Sequence, residues 1–268
     1  MSCEQCGQGY VMKGEPEGKM VDGAYLHEGS NKSRAIIFLT DIFGLPLVNC
    51  KIMADNMSKK LDCDVWVPDL FAGRPPLRAE QLEPLLPDRA GKKIAFLSYF
   101  RFLILILPRL HLMFASRASV VDSRIDTFIT KVQAEKKYQK LGAVGYCFGG
   151  AAAIRLGAKD LVQSLIVAHP GGTTTAEIKA IKVPTLWECA EEDFGFKAEL
   201  RNEAEAIFAA RKDKPDFVQY DFKDYKGTAH GFAARPNFAL PEIVKAYNDS
   251  FNDTIAWFDE TLQVEPSA

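Results

Sequence analysis

Short apolar runs rich in β-branched residues recur along the chain, separated by stretches with helical periodicity. The first is Arg34-Ala35-Ile36-Ile37-Phe38-Leu39-Thr40 and the second is Asp64-Val65-Trp66-Val67-Pro68. Four more follow, at Lys140-Leu141-Gly142-Ala143-Val144-Gly145, at 164–169, at 185–189 and at 217–222. Runs of this length bounded by turn residues predict strands buried on both faces. Helices are predicted over 48–60, from 151, over about 197–211 and over 241–262. Strands alternating with helices imply an α/β fold, a mostly parallel sheet with helices on both faces. A length of 268 residues fits one such domain. The division expected is an N-terminal arm with a first strand over 1–30, a body over 31–262 and a tail over 263–268.

One segment breaks the alternation. Residues 94–115, including Phe102-Leu103-Ile104-Leu105-Ile106-Leu107-Pro108-Arg109, are nearly long enough to span a bilayer. Arg101, Arg109 and His111 interrupt the run, and Pro108 stops or kinks a helix. Each charge at a helix centre costs about 2.5–3.5 kcal/mol on insertion scales. The expectation is therefore a buried or lid-like insertion over about 76–117. A dimer face or a membrane-surface contact through 102–114 is the alternative.

Composition narrows the function classes. Hydrophobic residues make up 47% of the chain and the formal net charge is −2, which offers no field for nucleic acid. The six cysteines, at 3, 6, 50, 63, 147 and 189, lack the spacing of a disulfide scaffold. With no basic and apolar leader at the start, a reducing, cytoplasmic setting is expected. Cys3-x-x-Cys6 resembles half a zinc site or a redox pair, but no second pair follows, so the expectation is a terminal arm and no metal.

The chemistry concentrates in Gly145-Tyr146-Cys147-Phe148-Gly149-Gly150, between a predicted strand and a predicted helix. This is the strand-turn-helix context of the nucleophile elbow of α/β-hydrolases, in which flanking glycines let backbone approach backbone. A cysteine there sits at a helix N-terminus, whose free N–H groups and dipole favour a thiolate. The bland reading is an inert, buried cysteine. A nucleophile needs a base and a group to orient it, and in this fold class the chain order is nucleophile, acid, histidine. Of four histidines, His230 in Gly227-Thr228-Ala229-His230-Gly231-Phe232 follows the last strand and is the candidate base. His27 and His111 read as surface or structural, and His169 could border a pocket. Asp193, in a loop before Phe194-Gly195, is the preferred acid, with Glu192 next. Backbone N–H groups of Phe148 and Ile42 are the expected oxyanion donors.

Together these residues make the sequence resemble the dienelactone hydrolase family, and its fungal branch most. The resemblance runs through Gly14-Glu15-Pro16-Glu17-Gly18, Asp41-Ile42-Phe43-Gly44, 68–75, the elbow, Glu192-Asp193 and His230-Gly231-Phe232 with Arg235. It implies a Cys147–Asp193–His230 triad that hydrolyses a small-molecule ester or lactone without metal or organic cofactor; apart from the resemblance, a monomer or homodimer is expected. It also implies substrate-binding roles for Asp41 and Arg235. Asp41 stands where bacterial members carry a glutamate that interacts with the resting cysteine. One methylene shorter, it could instead brace its loop. Arg235 matches an arginine that binds the substrate carboxylate, and the family's second anion-binding arginine falls within the divergent 76–117 stretch. A protein that traps electrophiles once on Cys147, without turnover, is the alternative on the same fold.

Overall fold

In the computed structural model, which describes residues 10–264, the six apolar runs become strands of one sheet that two N-terminal strands extend to eight. In chain order these are β1 (Lys19–Val21), β2 (Ala24–His27), β3 (Asn31–Leu39), β4 (Cys63–Val67), β5 (Lys140–Tyr146), β6 (Ser164–Ala168), β7 (Thr185–Glu192) and β8 (Tyr220–Ala229). Their spatial order is β1-β2-β4-β3-β5-β6-β7-β8. From β4 to β8 every neighbouring pair is parallel, whereas β1 and β2 are antiparallel. That edge hairpin exceeds the single N-terminal strand expected. Its turn is Asp22-Gly23, both at positive φ (50° and 82°), the dipeptide that suits a tight hairpin. Cys3 and Cys6 lie outside the described residues.

The helices are α1 (Asn49–Leu61), α2 (Ala79–Leu82), α3 (Phe96–Ile106), α4 (Leu110–Ala115), α5 (Ala118–Lys136), α6 (Phe148–Leu156), α7 (Thr175–Lys179), α8 (Ala198–Ala209) and α9 (Pro241–Thr261). The pleat of β3 explains how they divide. Ala35, Ile37 and Leu39 join a core with Ile125 of α5, Ile154 of α6 and Phe208 of α8. Ile36 and Phe38 face the other way, onto Met53 and Met57 of α1 and Phe258 of α9. Alternate side chains of one buried strand thus fill two cores, which is why the run reads apolar without interruption.

Two expectations are corrected. β8 begins at Tyr220 rather than 217, because Phe217 is in a turn, its N–H bonded to the Lys214 carbonyl, and is exposed. The strand then continues through Lys223-Asp224-Tyr225-Lys226, whose polar residues suit a sheet edge. The second correction concerns the apolar insertion. Pro108 does end α3, and 107–109 form a 3-10 turn before α4, but neither helix contains a buried residue.

Candidate active site

Asp41, Ile42 and the three triad candidates lie beyond the C-terminal ends of parallel strands, the edge where open α/β sheets bind ligands. Asp41 and Ile42 follow β3, Cys147 follows β5, Asp193 follows β7 and His230 follows β8.

The elbow is as tight as its glycines suggest. Cys147 adopts φ 52° and ψ −110°, a conformation that strains any residue with a Cβ. Its N–H donates to the Ala168 carbonyl at 3.2 Å, and its own carbonyl accepts from Gly171 at 2.7 Å. A Cβ on Gly145 would lie 2.1 Å from the Gly149 oxygen, and one on Gly149 would lie 2.2 Å from the Leu39 oxygen. The sequence folds this way because only Gly allows strand, turn and helix to meet so closely. Cys147 remains partly exposed. Cys50, Cys63 and Cys189 are buried, and burial pushes each of their thiols up to about 12.

Sheet register brings the acid to the base. A shift between Ala190 and Glu192 leaves Glu192 paired with Ala229, so the next residue on each strand is Asp193 or His230. Nδ1 of His230 and Oδ1 of Asp193 are 2.8 Å apart, with both side chains almost wholly buried. The same carboxylate oxygen accepts the N–H groups of Gly195 (2.7 Å) and Phe196 (3.0 Å), which fixes its loop. Glu191 and Glu192 are exposed and accept the N–H groups of Gly227 and Gly91. Phe194 lies with its ring centroid 4.3 Å from the imidazole, and His169 meets the imidazole edge-on at 5.1 Å. Burial lowers the pKa of His230, but negative charge on Cys147 and the bond to Asp193 outweigh it and raise the ring to about 10. Nε2 is buried, and both the charge and the hydrogen bonding of the Cys147 sulfur act on the ring. His169 is fully buried with both ring nitrogens unbonded, and burial holds it well below the usual imidazole range, as a neutral wall.

The N–H groups of Ile42 and Phe148 donate to no acceptor among the described residues. Phe148 opens α6, where a free N–H is expected.

Asp41 and Arg235 meet each other. Arg235 Nε is 3.2 Å from Asp41 Oδ2, while Asp41 Oδ1 accepts the Phe43 N–H at 3.0 Å. Those are the contacts of a loop brace. Glu83 lies 3.9 Å from Nη1 of the same guanidinium, and the Phe43 ring centroid is 5.0 Å from its carbon. Arg235 is therefore buried and engaged by two carboxyls. Burial pushes Asp41 above its ordinary range against the pull of Arg235, and pushes Glu83 up to about 8. Glu83 was not singled out in the sequence. A lone acid in Leu82-Glu83-Pro84-Leu85-Leu86 carries no signal of its destination. Among the described residues no group of three or more His, Cys, Asp or Glu could hold a metal ion.

Known proteins agree with this architecture. The hydrolase pyvD of Aspergillus violaceofuscus is 29% identical over 264 residues, covering 96% of both chains. The carboxymethylenebutenolidase homolog of Rattus norvegicus is 25% identical, over 85% of this chain and 83% of its own. Among solved structures, a putative dienelactone hydrolase from Klebsiella pneumoniae superposes with a TM-score of 0.62 at 13% identity, over 88% of this chain and 92% of that one, a likeness of fold. The model of the dienelactone hydrolase family matches residues 106–262, more than half of the chain and the part that carries Cys147, Asp193 and His230. The chain belongs to the dienelactone hydrolase family.

Proposed function

We propose that this ester and lactone hydrolase works through a covalent thioester on Cys147, with His230 as general base and acid and Asp193 as its orienting partner. The observation that carries this reading is the 2.8 Å contact between His230 and Asp193, both buried, beside a cysteine held in a strained turn at a helix N-terminus.

The sulfur of Cys147, with its proton on His230, attacks the carbonyl carbon, and the carbonyl electron pair moves onto oxygen. The Ile42 and Phe148 N–H groups receive that charge. Each such donor is worth about 2.7–4 kcal/mol in the transition state. Collapse of the adduct breaks the bond to the leaving oxygen, which takes the imidazolium proton. His230 then removes a proton from water as that water attacks the thioester, and the carboxylic acid departs as Cys147 is restored. A thiolate leaves a tetrahedral adduct more readily than an amine, so activated esters and enol-lactones suit the site and amides do not.

The test is hydrolysis of p-nitrophenyl esters and dienelactone by the parent and by Cys147→Ala, with intact-mass measurement during turnover. The expected results are loss of turnover in the variant and a transient acyl adduct on the parent. Parental rates in the variant would remove the mechanism, and a permanent one-to-one adduct without turnover would favour the trapping protein instead.

A further inference from the structure

The segment from α3 through α4 leaves an apolar face open, with the Arg117 guanidinium over Phe114 at its end (4.5 Å to the ring centroid). Phe96, Phe100, Leu103, Leu107, Leu110 and Phe114 follow one another in steps of four and three, the spacing of one helical stripe, and each is between 54% and 81% exposed. Leu97, Tyr99 and Ile104 widen the stripe beyond the narrow seam that a coiled-coil partner would cover. Only the inner side is engaged, where Leu105 and Ile106 pack on the cluster of Phe43, Leu47, Leu77, Ala79 and Leu82. Single exposed leucines need no explanation, but a contiguous patch does.

The charge pattern says what covers it. Between Asp88 and Asp122 the sequence contains no acidic residue and six basic ones, Arg89, Lys92, Lys93, Arg101, Arg109 and Arg117. The chain as a whole carries −2, so the remainder carries −8, and the positive charge is gathered around the apolar stripe. Arg89, Lys93 and Arg101 are exposed and make no ion pair among the described residues. An apolar stripe with Phe and Leu on one side and cations at its margins is the pattern of a helix that lies in a lipid interface. A symmetric pairing of two copies through this face would set two such cationic patches against each other.

We propose that residues 96–115 lay the protein on an anionic lipid surface, with the Phe96 to Phe114 stripe among the acyl chains and Lys93, Arg101 and the flanking cations at the headgroups. The segment has the length of a bilayer span and a window of mean hydropathy 1.5, and its lying flat follows from how its ends are held. Both of its ends are rooted in the same domain, at buried Leu82 and Glu83 before it and at Val121 and Ile125 in the core after it. Lying flat, the segment brings the lipid surface beside Phe43, the neighbour of Ile42. Docking needs no turnover, so it stands or fails apart from the role given to Cys147.

The experiment is flotation of the full-length protein with phosphatidylcholine vesicles containing or lacking phosphatidylserine, at low and high salt. Expected is flotation with the anionic vesicles that drops about tenfold or more without the anionic lipid or at high salt. Phe100→Asp/Leu103→Asp and Lys93→Glu/Arg101→Glu each reduce it to a similar extent. All four side chains are exposed, so hydrolysis of a water-soluble ester stays at the parental rate in both variants. Absence of flotation with anionic vesicles, or equal flotation of parent and variants, overturns the proposal. So does a dimer seen by light scattering that Phe100→Asp/Leu103→Asp splits, which would give the face to a second copy.

Discussion

Replacing Asp193 by Asn isolates the electrostatic part of the proposed site. Oδ1 accepts three hydrogen bonds, from Gly195 N, Phe196 N and His230 Nδ1, while Oδ2 is buried with no partner. An asparagine that keeps its oxygen on the two backbone N–H groups preserves the loop and leaves its NH2 in the place of Oδ2. That buried, unbonded donor costs about 1–3 kcal/mol of stability, a Tm shift of several degrees. The charge that steadies an imidazolium from the Asp193 side is gone, leaving only the Cys147 sulfur to oppose burial, so the pKa of His230 falls from about 10. In serine triads the same change lowers kcat about 10⁴-fold, or about 5.5 kcal/mol of transition-state stabilisation. The assay is kcat on p-nitrophenyl acetate alongside an NMR titration of the His230 ring, with thermal melts to confirm folding. A folded Asp193→Asn protein whose kcat stays within about tenfold of the parent, with the imidazole titration unmoved, would refute the role assigned to Asp193.

Arg235→Met removes the partner of a buried carboxylate, and breaking a buried pair from one side costs about 3–5 kcal/mol. Urea unfolding measures it, and a loss below about 1 kcal/mol would mean that Asp41 does not depend on the guanidinium. Glu83 has an ordinary pKa of 4.5 and is pushed up to about 8 by burial, against the pull of Arg235. The folded protein then holds this proton while the unfolded chain releases it. Its contribution is complete below about pH 4.5 and is lost as pH rises toward about 8. Glu83→Gln is expected to flatten the fall in Tm between about pH 5 and about pH 9, and an unchanged slope would contradict the burial argument. Gly145→Ala forces a Cβ to within 2.1 Å of the Gly149 oxygen, so a loss of about 3 kcal/mol or more, or failure to express in soluble form, is expected. A melt within a degree or two of the parent would show that the elbow can open.

What the sequence reveals follows from the range of each interaction. Strands β3 to β7 were legible because their residues are buried on both faces, so burial alone writes them as apolar runs. The elbow was legible because its constraint is local, a turn that excludes a Cβ at Gly145 and Gly149. Neither end of β8 is legible in the sequence, because the strand is held by its ladder with β7 and by an edge position rather than by its own hydrophobicity. The β1–β2 hairpin left a local signal, Asp22-Gly23, but its strands are too short for periodicity to reveal. Arg235 and Asp41 are 194 residues apart in the chain, and nothing local announces that they meet.

That pairing changes how the site can recognise an anion. A guanidinium serves a substrate carboxylate when its fork is free, and here Nε is within bonding distance of Asp41 while Glu83 lies 3.9 Å from another nitrogen. Glu83, pushed up to about 8, carries its proton near neutrality, so the carboxyl that engages Arg235 by a hydrogen bond is that of Asp41. A bound carboxylate would have to share the guanidinium with Asp41 in a site both side chains leave only 5% exposed, which adds a second buried anion beside the first. The desolvation cost of two adjacent carboxylates favours a neutral acyl group over an anionic one. Glu83 comes from the turn between α2 and α3, within the 76–117 insertion. The same stretch thus supplies both the acid that crowds the arginine and the apolar helices beyond it. Among esters with the same leaving group, uncharged acyl groups are therefore expected to give higher kcat/KM than carboxylate-bearing ones, and equal values would contradict the desolvation argument.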